Sequence, residues 1–222
     1  MTPMIELDHL VVACRTLAAG RAWCETTFGV APETGGRHPL MGTHNAVLAI
    51  SSARFAKSYL ELIAIDPDAA APTCHRWFDL DAPTWQATGD EPRLVHWVAR
   101  TDDIVGAGAA LLRAGFDPGP VVVAERMTPR GLLRWRITVR DDGARPAAGA
   151  VPLLIEWGEV HPTDALPARG VGLESLALGG VAGELAVGLG VAAASDAAAP
   201  PLAAVFTTPR GRVTLAAPTA AA

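Results

Sequence analysis

The sequence predicts an α+β fold in which a β-α-β-β-β unit occurs twice and an incomplete third unit follows. Three observations support this prediction. A histidine recurs in two similar apolar stretches, His9 in "LDHLVVA" and His96 in "RLVHWVAR". Each stretch precedes a helical pattern and further strand patterns. A later segment, "TTPRGRVTL", is similar to "MTPRGLLRW", so one supersecondary unit is used repeatedly along the chain.

The first unit is predicted to cover residues 1–87. Its first strand is Ile5 to Ala13, and its helix runs from Leu17 to Phe28, because Arg21 and Cys24 fall at helical spacing between them and Gly29 follows. The other predicted strands are short and bounded by turn residues; they are an extended piece near 31–36 and the strands 43–50 and 58–65.

The second unit, residues 88–163, has the same predicted order. A strand at 94–99 precedes a helix at 104–114 that ends at Gly115. Three strand patterns follow, at 120–125, 132–139 and 151–158.

The third unit, residues 164–222, is predicted to contain a strand in "GLESLALGG", a helix near 182–189 and strands in "LAAVFTTPRGRVTLAAP". It ends before any equivalent of "LLIEWG", and Leu176 stands where the second unit has His96. We therefore expect a structural role. The alternatives are a lid or a dimerisation element, and the sequence leaves open whether the unit packs within the chain or against a second copy in a homodimer.

The amino-acid composition limits the kinds of binding partner and the cellular location that we expect for this protein. The chain has 222 residues, half of them apolar, and a net charge of −5. Its 18 basic residues are all arginine except Lys57 and form no cluster, so we expect no nucleic-acid binding and a small, anionic ligand met by individual arginines. Three cysteines without paired spacing indicate a reducing, cytoplasmic location. The most apolar stretch, 176–194, is interrupted by Glu184, so no membrane span is expected.

Each of the first two units contributes one histidine from its first strand and one glutamate from its last: His9 with Glu61, and His96 with Glu156. A carboxylate buried among apolar side chains is costly without a partner. Two imidazoles and two carboxylates can satisfy one another around a divalent ion such as zinc, nickel, iron or manganese.

A polar segment between two predicted strands, "GGRHPLMGTHNA", is either a surface turn or a substrate rim. As a rim, Arg37 would pair with a substrate carboxylate. Since side chains alternate along a strand, only one of His44 and Asn45 can face a cleft.

Further along the chain, Arg134 and Arg136 lie on the face opposite Trp135. They are either solvated or form an anion site that includes Arg136. His161, before Pro162, is predicted to be at the surface.

The order and spacing of "LDHLVVA", "GGRHPLMGTHNA", "YLELIAI", "RWRITV" and "LLIEWG" resemble the vicinal oxygen chelate superfamily, and within it the bacterial glyoxalase-like domain proteins. The resemblance covers about residues 4–160. It implies a U-shaped mixed sheet around a cleft that holds one divalent metal ion. It also implies the metal ligands, which are His9, Glu61, His96 and Glu156.

Extradiol dioxygenases of this superfamily keep two histidines and one glutamate, so with a second glutamate the resemblance implies isomerase-like or lyase-like chemistry instead. In that chemistry the metal chelates a small oxygenated substrate, and Glu156 or Glu61 removes the proton next to its carbonyl. Two alternatives stay open. One is a metal-free sequestering protein of the bleomycin-resistance kind, and the other is an iron-dependent extradiol dioxygenase.

Overall fold

The larger part of the chain is one curled, eight-stranded mixed sheet with helices on one side. The computed structural model describes residues 3–83, 85, 90–128, 131–180, 192–193 and 199–218. Read outwards from the middle, both halves have the same order, in which the first strand pairs in parallel with the last strand of its own half.

In each half, the helix and the strands occur in the order predicted from the amino-acid sequence. The first half contains β1 (Ile5–Ala13), α1 (Leu17–Phe28), β2 (Glu33–His38), β3 (Thr43–Ala49) and β4 (Tyr59–Ile65). The second half contains β5 (Arg93–Thr101), α2 (Ile104–Arg113), β6 (Val121–Thr128), β7 (Gly131–Thr138) and β8 (Leu153–Trp157). The strand order across the sheet is β2-β3-β4-β1-β5-β8-β7-β6.

Side-chain caps begin both helices. The Thr16 hydroxyl accepts from the Ala19 N–H at 3.1 Å, and the Asp103 carboxylate accepts from the Gly106 N–H at 2.9 Å. Helix α1 ends at Gly29, whose φ of 78° is one that glycine adopts without strain.

The sheet has an apolar core on each face. On the helix side, Leu10, Leu62 and Trp97 pack with Phe28 and Ile104. On the concave side the core includes six residues from both halves: Val11, Ile63, Val98, Trp135, Leu153 and Ile155. The two halves meet where β1 pairs antiparallel with β5.

Two β-bulges interrupt this central pair. The register shifts between Leu7 and His9, where Asp8 is the extra residue in β1. It shifts again between Val11 and Val12, where Val95 is the extra residue in β5. Because each bulge adds an unpaired residue, neighbouring side chains no longer alternate strictly between the two faces. Asp8 and His9 consequently lie on the same, concave side.

The C-terminal part forms a second sheet of four strands in the order β10-β9-β11-β12. Its strands are β9 (Gly172–Leu178), β10 (Ala192–Ala193), β11 (Leu202–Thr208) and β12 (Gly211–Ala216). The predicted helix at 182–189 lies outside the described residues. Within this sheet β11 pairs antiparallel with both β9 and β12, and β10 pairs parallel with β9.

The second sheet packs on the helix side of the first. Phe206 meets Phe28 edge to face, with the ring centroids 5.2 Å apart, and the Leu173 N–H donates to the Ile50 carbonyl at 2.9 Å. Among the described residues, no helix is long and apolar enough to cross a membrane.

Candidate functional site

The concave side of the large sheet holds a cavity of about 640 Å³. Both ends of the sheet contribute to its lining, since residues of β2 and of β6 face it. Its walls combine aromatic side chains with a few polar groups. The aromatic residues are Tyr59, Trp77, Phe78, Trp135 and Trp157.

His9 lies in this cavity with its ring fixed from behind. Its Nδ1 is 2.7 Å from the carboxylate of Asp8, which is fully buried. Tyr59 stacks on the ring, with the centroids 4.6 Å apart. When His9 is neutral, an Nδ1–H donated to Asp8 leaves the lone pair of Nε2 directed into the cavity.

The second carboxylate oxygen of Asp8 binds two further groups. It accepts from the Trp157 indole N–H at 2.9 Å and lies 2.9 Å from Nε2 of His161. Burial alone would raise the pKa of Asp8, but the hydrogen bonds from His161 and His9 outweigh it and hold this pKa well below its ordinary value. Asp8 is therefore an anion that orients His9.

Glu61 lies beside His9 in the cavity, on the neighbouring strand β4. Its Oε2 is 3.6 Å from Nε2 of His9, and its Oε1 accepts from the Asn45 amide at 2.5 Å. Asn45 is itself held by the N–H of Gly36, which donates to its Oδ1 at 2.7 Å. At 3.6 Å the carboxylate oxygen and the imidazole nitrogen lie just beyond hydrogen-bond distance, so a group that donates to both can bind between them.

Gly35 is needed for this arrangement. A Cβ at Gly35 would lie 2.0 Å from Oδ1 of Asn45 and 2.7 Å from its carbonyl oxygen. The two adjacent glycines of "GGRH" also coincide with a break in the β2–β3 register between Thr34 and Arg37.

His38 completes the polar wall beside Asn45. Its Nδ1 is 3.1 Å from the Thr43 hydroxyl, and its ring meets Trp77 edge to face. Burial lowers the pKa of His38 to about 4, with Arg126 among the neighbouring charges that act in the same direction. His38 is consequently neutral near pH 7.

His96 lies on the concave side but in an enclosed position. Its Nε2 accepts from the Leu153 N–H at 3.2 Å, and its ring packs against Phe78. Burial, followed by the nearby charge of Arg145, lowers the pKa of His96 well below its ordinary value. The cavity that contains His9 is not lined by His96, so the structure does not bring the two predicted ligands to one exposed point.

Glu156 and Arg136 lie on the opposite face of the sheet, which corrects the expectation that they belong to the cleft. Arg136 Nε donates to Glu156 Oε1 at 3.0 Å, and the Ile104 N–H at the start of α2 donates to Oε2 at 3.0 Å. In β8, Ile155 and Trp157 face the cavity. Period-two alternation therefore directs Glu156 towards the helix.

The predicted rim is divided between the two faces of β3. Asn45 faces the cavity, whereas Nδ1 of His44 lies 3.9 Å from Asp66 on the other side. Arg37 borders the cavity, but its guanidinium pairs with Asp66 and Asp68 at 3.3 and 3.1 Å. Of these three residues, Asn45 is the one that contacts Glu61.

Sequence reasoning missed three site residues: Asp8, His161 and Arg126. Strict alternation places Asp8 on the face opposite His9, and the bulge reverses this. His161 was predicted to be at the surface, yet it is buried and bound to Asp8. The position of Arg126 could have been predicted from the sequence. Alternation in β6 places it on the same face as Val122 and Ala124, which pack against the concave core.

The predicted set of four metal ligands does not fit this arrangement. His9 and Glu61 converge, His96 is enclosed by packing, and Glu156 binds Arg136 and α2 on the far side. Within the described ranges, no group of three or more histidine, cysteine, aspartate or glutamate side chains is placed to hold a metal ion.

The repeated half-units, the curled sheet and the polar cluster on its concave side define a glyoxalase-like architecture. A model of the family described as glyoxalase-like domain matches residues 7–190. The chain therefore belongs to the glyoxalase-like domain family, which confirms the resemblance inferred from its motifs. A comparison with curated proteins gave no significant match.

One solved structure shares this fold at low sequence identity, and two others show a weaker structural similarity. A hypothetical protein from Staphylococcus aureus is 15% identical with a TM-score of 0.52, covering 96% of this chain and 86% of its own. A Streptomyces coelicolor methylmalonyl-CoA epimerase variant in complex with 2-nitronate-propionyl-CoA is 20% identical, with a TM-score of 0.43 and coverage of 70% and 96%. The Mycobacterium tuberculosis methylmalonyl-CoA epimerase is 16% identical, with a TM-score of 0.43 and coverage of 72% and 91%.

Proposed function

We propose that the chain is a glyoxalase-like enzyme of the isomerase or lyase class. It moves a proton at the carbon next to a carbonyl group of a small oxygenated substrate. The observation that carries this proposal is the approach of Glu61 to Nε2 of His9 inside the cavity, with Asp8 bound to the other side of the imidazole.

The two groups have complementary tasks. Glu61 accepts the proton from the substrate carbon, and the amide of Asn45 keeps its carboxylate in place. His9 shares and returns the proton through Nε2, because Asp8 fixes its ring and stabilises its charged form. The apolar walls limit the access of water to the reacting carbon.

Hydrogen exchange at the substrate carbon tests this function. Lactaldehyde, dihydroxyacetone, lactate and methylmalonyl-CoA are each incubated with the protein in D₂O, and loss of the α-proton signal is followed by NMR. We expect exchange with at least one compound that binds, slowed by at least about 100-fold in Glu61→Gln. Glu156→Gln is the matched control, since its carboxylate lies outside the cavity. Exchange that persists in Glu61→Gln contradicts the proposal.

A second candidate function is sequestration of an aromatic ligand without chemistry. The aromatic wall favours it, because Trp77, Phe78, Trp135 and Trp157 supply stacking surfaces around one cavity. A sequestering protein binds an aromatic compound with the same affinity in wild type and Glu61→Gln, and it exchanges no proton with any compound that it binds.

A further inference from the structure

Arg126 spans the opening between the two ends of the curled sheet. It belongs to β6, one outermost strand, and its guanidinium lies over Gly36 in β2, the other outermost strand. The approach is so close that a Cβ at Gly36 would lie 1.4 Å from Nη1 of Arg126. Glycine at position 36 therefore makes room for this guanidinium.

The guanidinium of Arg126 has donors without acceptors. Its Nε and Nη1 are buried and have no hydrogen-bond partner in the part of the chain that the structure describes. Within the same ranges, no carboxylate lies within ion-pair distance of it. Other arginines are paired with acids; they include Arg37, Arg76, Arg134, Arg136, Arg140 and Arg145.

The position of these donors indicates what they bind. Arg126 lines the same cavity as His9 and Glu61, and its charge also acts on His38 and Tyr59. A guanidinium remains protonated at any physiological pH. Buried donors of this kind require an acceptor, and an oxyanion supplies both the acceptor oxygens and the opposite charge.

We propose that Arg126 anchors an oxyanion of the ligand, a carboxylate or a phosphate ester, at the cavity opening between β2 and β6. This inference deepens the proposed function and rests on it for the reacting end, where Glu61 and His9 act. Trp77, Trp135 and Trp157 line the same cavity. The substrate class is thus a small oxo or hydroxy acid, or its phosphate counterpart, with an apolar or aromatic middle.

Binding of a matched pair of compounds tests the anchor. Mandelate and its neutral isostere mandelamide are titrated into the protein, and tryptophan fluorescence reports binding because three tryptophans line the cavity. We expect mandelate to bind at least about tenfold more tightly than mandelamide in wild type. Arg126→Gln should abolish this preference. Arg134→Gln, which removes an exposed arginine paired with Glu125, should retain it.

Two further measurements keep the result interpretable. Gly36→Ala displaces the guanidinium without removing it, so the preference for mandelate should fall in this variant even if Arg126→Gln fails to fold. Acetate and inorganic phosphate are then added as competitors of mandelate, and the stronger competitor shows whether the site prefers a carboxylate or a phosphate. Competition by either ion that is lost in Arg126→Gln supports the anchor. Equal binding of the acid and the amide to wild type overturns it, as does a preference that survives in folded Arg126→Gln.

The oxyanion site at Arg126 and the proton transfer by Glu61 can be disproved independently of each other. Glu61→Gln should keep the preference for mandelate while losing α-proton exchange. If the wild type prefers mandelate to mandelamide but exchanges the α-proton of none of the compounds tested, the anchor stands and the proposed enzymatic function is contradicted. If α-proton exchange occurs but mandelate and mandelamide bind equally, only the anchor is contradicted.

Discussion

At the scale of single residues, Asp8 organises the site although it does not line the cavity. Its carboxylate binds His9 on one oxygen and both Trp157 and His161 on the other. It thereby joins β1 to β8 and to the segment after β8. The orientation of one imidazole thus depends on residues that are about 150 positions apart in the chain.

We predict that Asp8→Asn changes the tautomer of His9. An asparagine offers only one acceptor oxygen to three donors, so the Nδ1–H form of His9 should lose its advantage. The ¹⁵N chemical shifts of the imidazole measure this directly, and the free energy of unfolding should fall by about 1–3 kcal/mol. Unchanged imidazole shifts in a folded variant contradict this account of Asp8.

His96 should make stability depend on pH. Because its pKa is lower in the folded than in the unfolded chain, the unfolded chain binds more protons below pH about 6.5, and stability falls as the pH decreases from there. Denaturant titrations between pH 7 and 4.5 should show a smaller decrease for His96→Gln, which keeps an acceptor for Leu153. Equal decreases in both proteins would assign the pH dependence elsewhere, for example to His38.

At the scale of elements, strand β2 supports the site through its two glycines. Gly35 leaves space for Asn45, which holds Glu61, and Gly36 leaves space for Arg126. Strand β8 supports the opposite face, where Glu156 binds the first N–H of α2. A glutamate of the last strand thus faces the cavity in the first half, whereas in the second half it accepts a hydrogen bond from the start of a helix.

Gly35→Ala should destabilise the protein by about 1–3 kcal/mol, because the new Cβ would overlap the side chain and the carbonyl of Asn45. Gly108→Ala is the matched control in α2. There the Cβ would lie 3.8 Å from Pro118, an ordinary contact, and alanine favours the helix by up to about 1 kcal/mol. Thermal unfolding of both variants should show shifts of opposite sign.

Glu156→Gln should lower the free energy of unfolding by about 1 kcal/mol, because the charge at the start of α2 is lost. Ligand binding in the cavity should be unchanged. Loss of ligand binding in a folded Glu156→Gln protein would instead favour a role in the cleft.

At the scale of the whole molecule, the C-terminal sheet is part of the same core as α1. Phe206 is fully buried against Phe28, and Leu176 and Leu202 belong to the same apolar cluster. We predict that Phe206→Ala costs about 3–5 kcal/mol and that unfolding remains one transition by circular dichroism and tryptophan fluorescence. Two separate transitions would show that the sheet is an independent unit.

The sequence by itself determined the order of strands and helices in the two halves of the large sheet, the bounds of most of these elements, and the family. The elements follow from local periodicity and from the glycines that end the helices, Gly29 and Gly115, and the family follows from the order and spacing of the motifs. They depend on neighbouring residues in the chain, which a sequence displays directly.

Only the tertiary structure decided which polar side chains meet. The bulge at Asp8 depends on how β1 pairs with β5, and the burial of His161 depends on where the chain returns after β8. Glu156 faces the helix side because the packing of β8 directs Ile155 and Trp157 into the cavity, and its partners there, Arg136 and Ile104, are distant in sequence. Period-two alternation describes an isolated strand, whereas pairing and packing determine which face of it is the cleft.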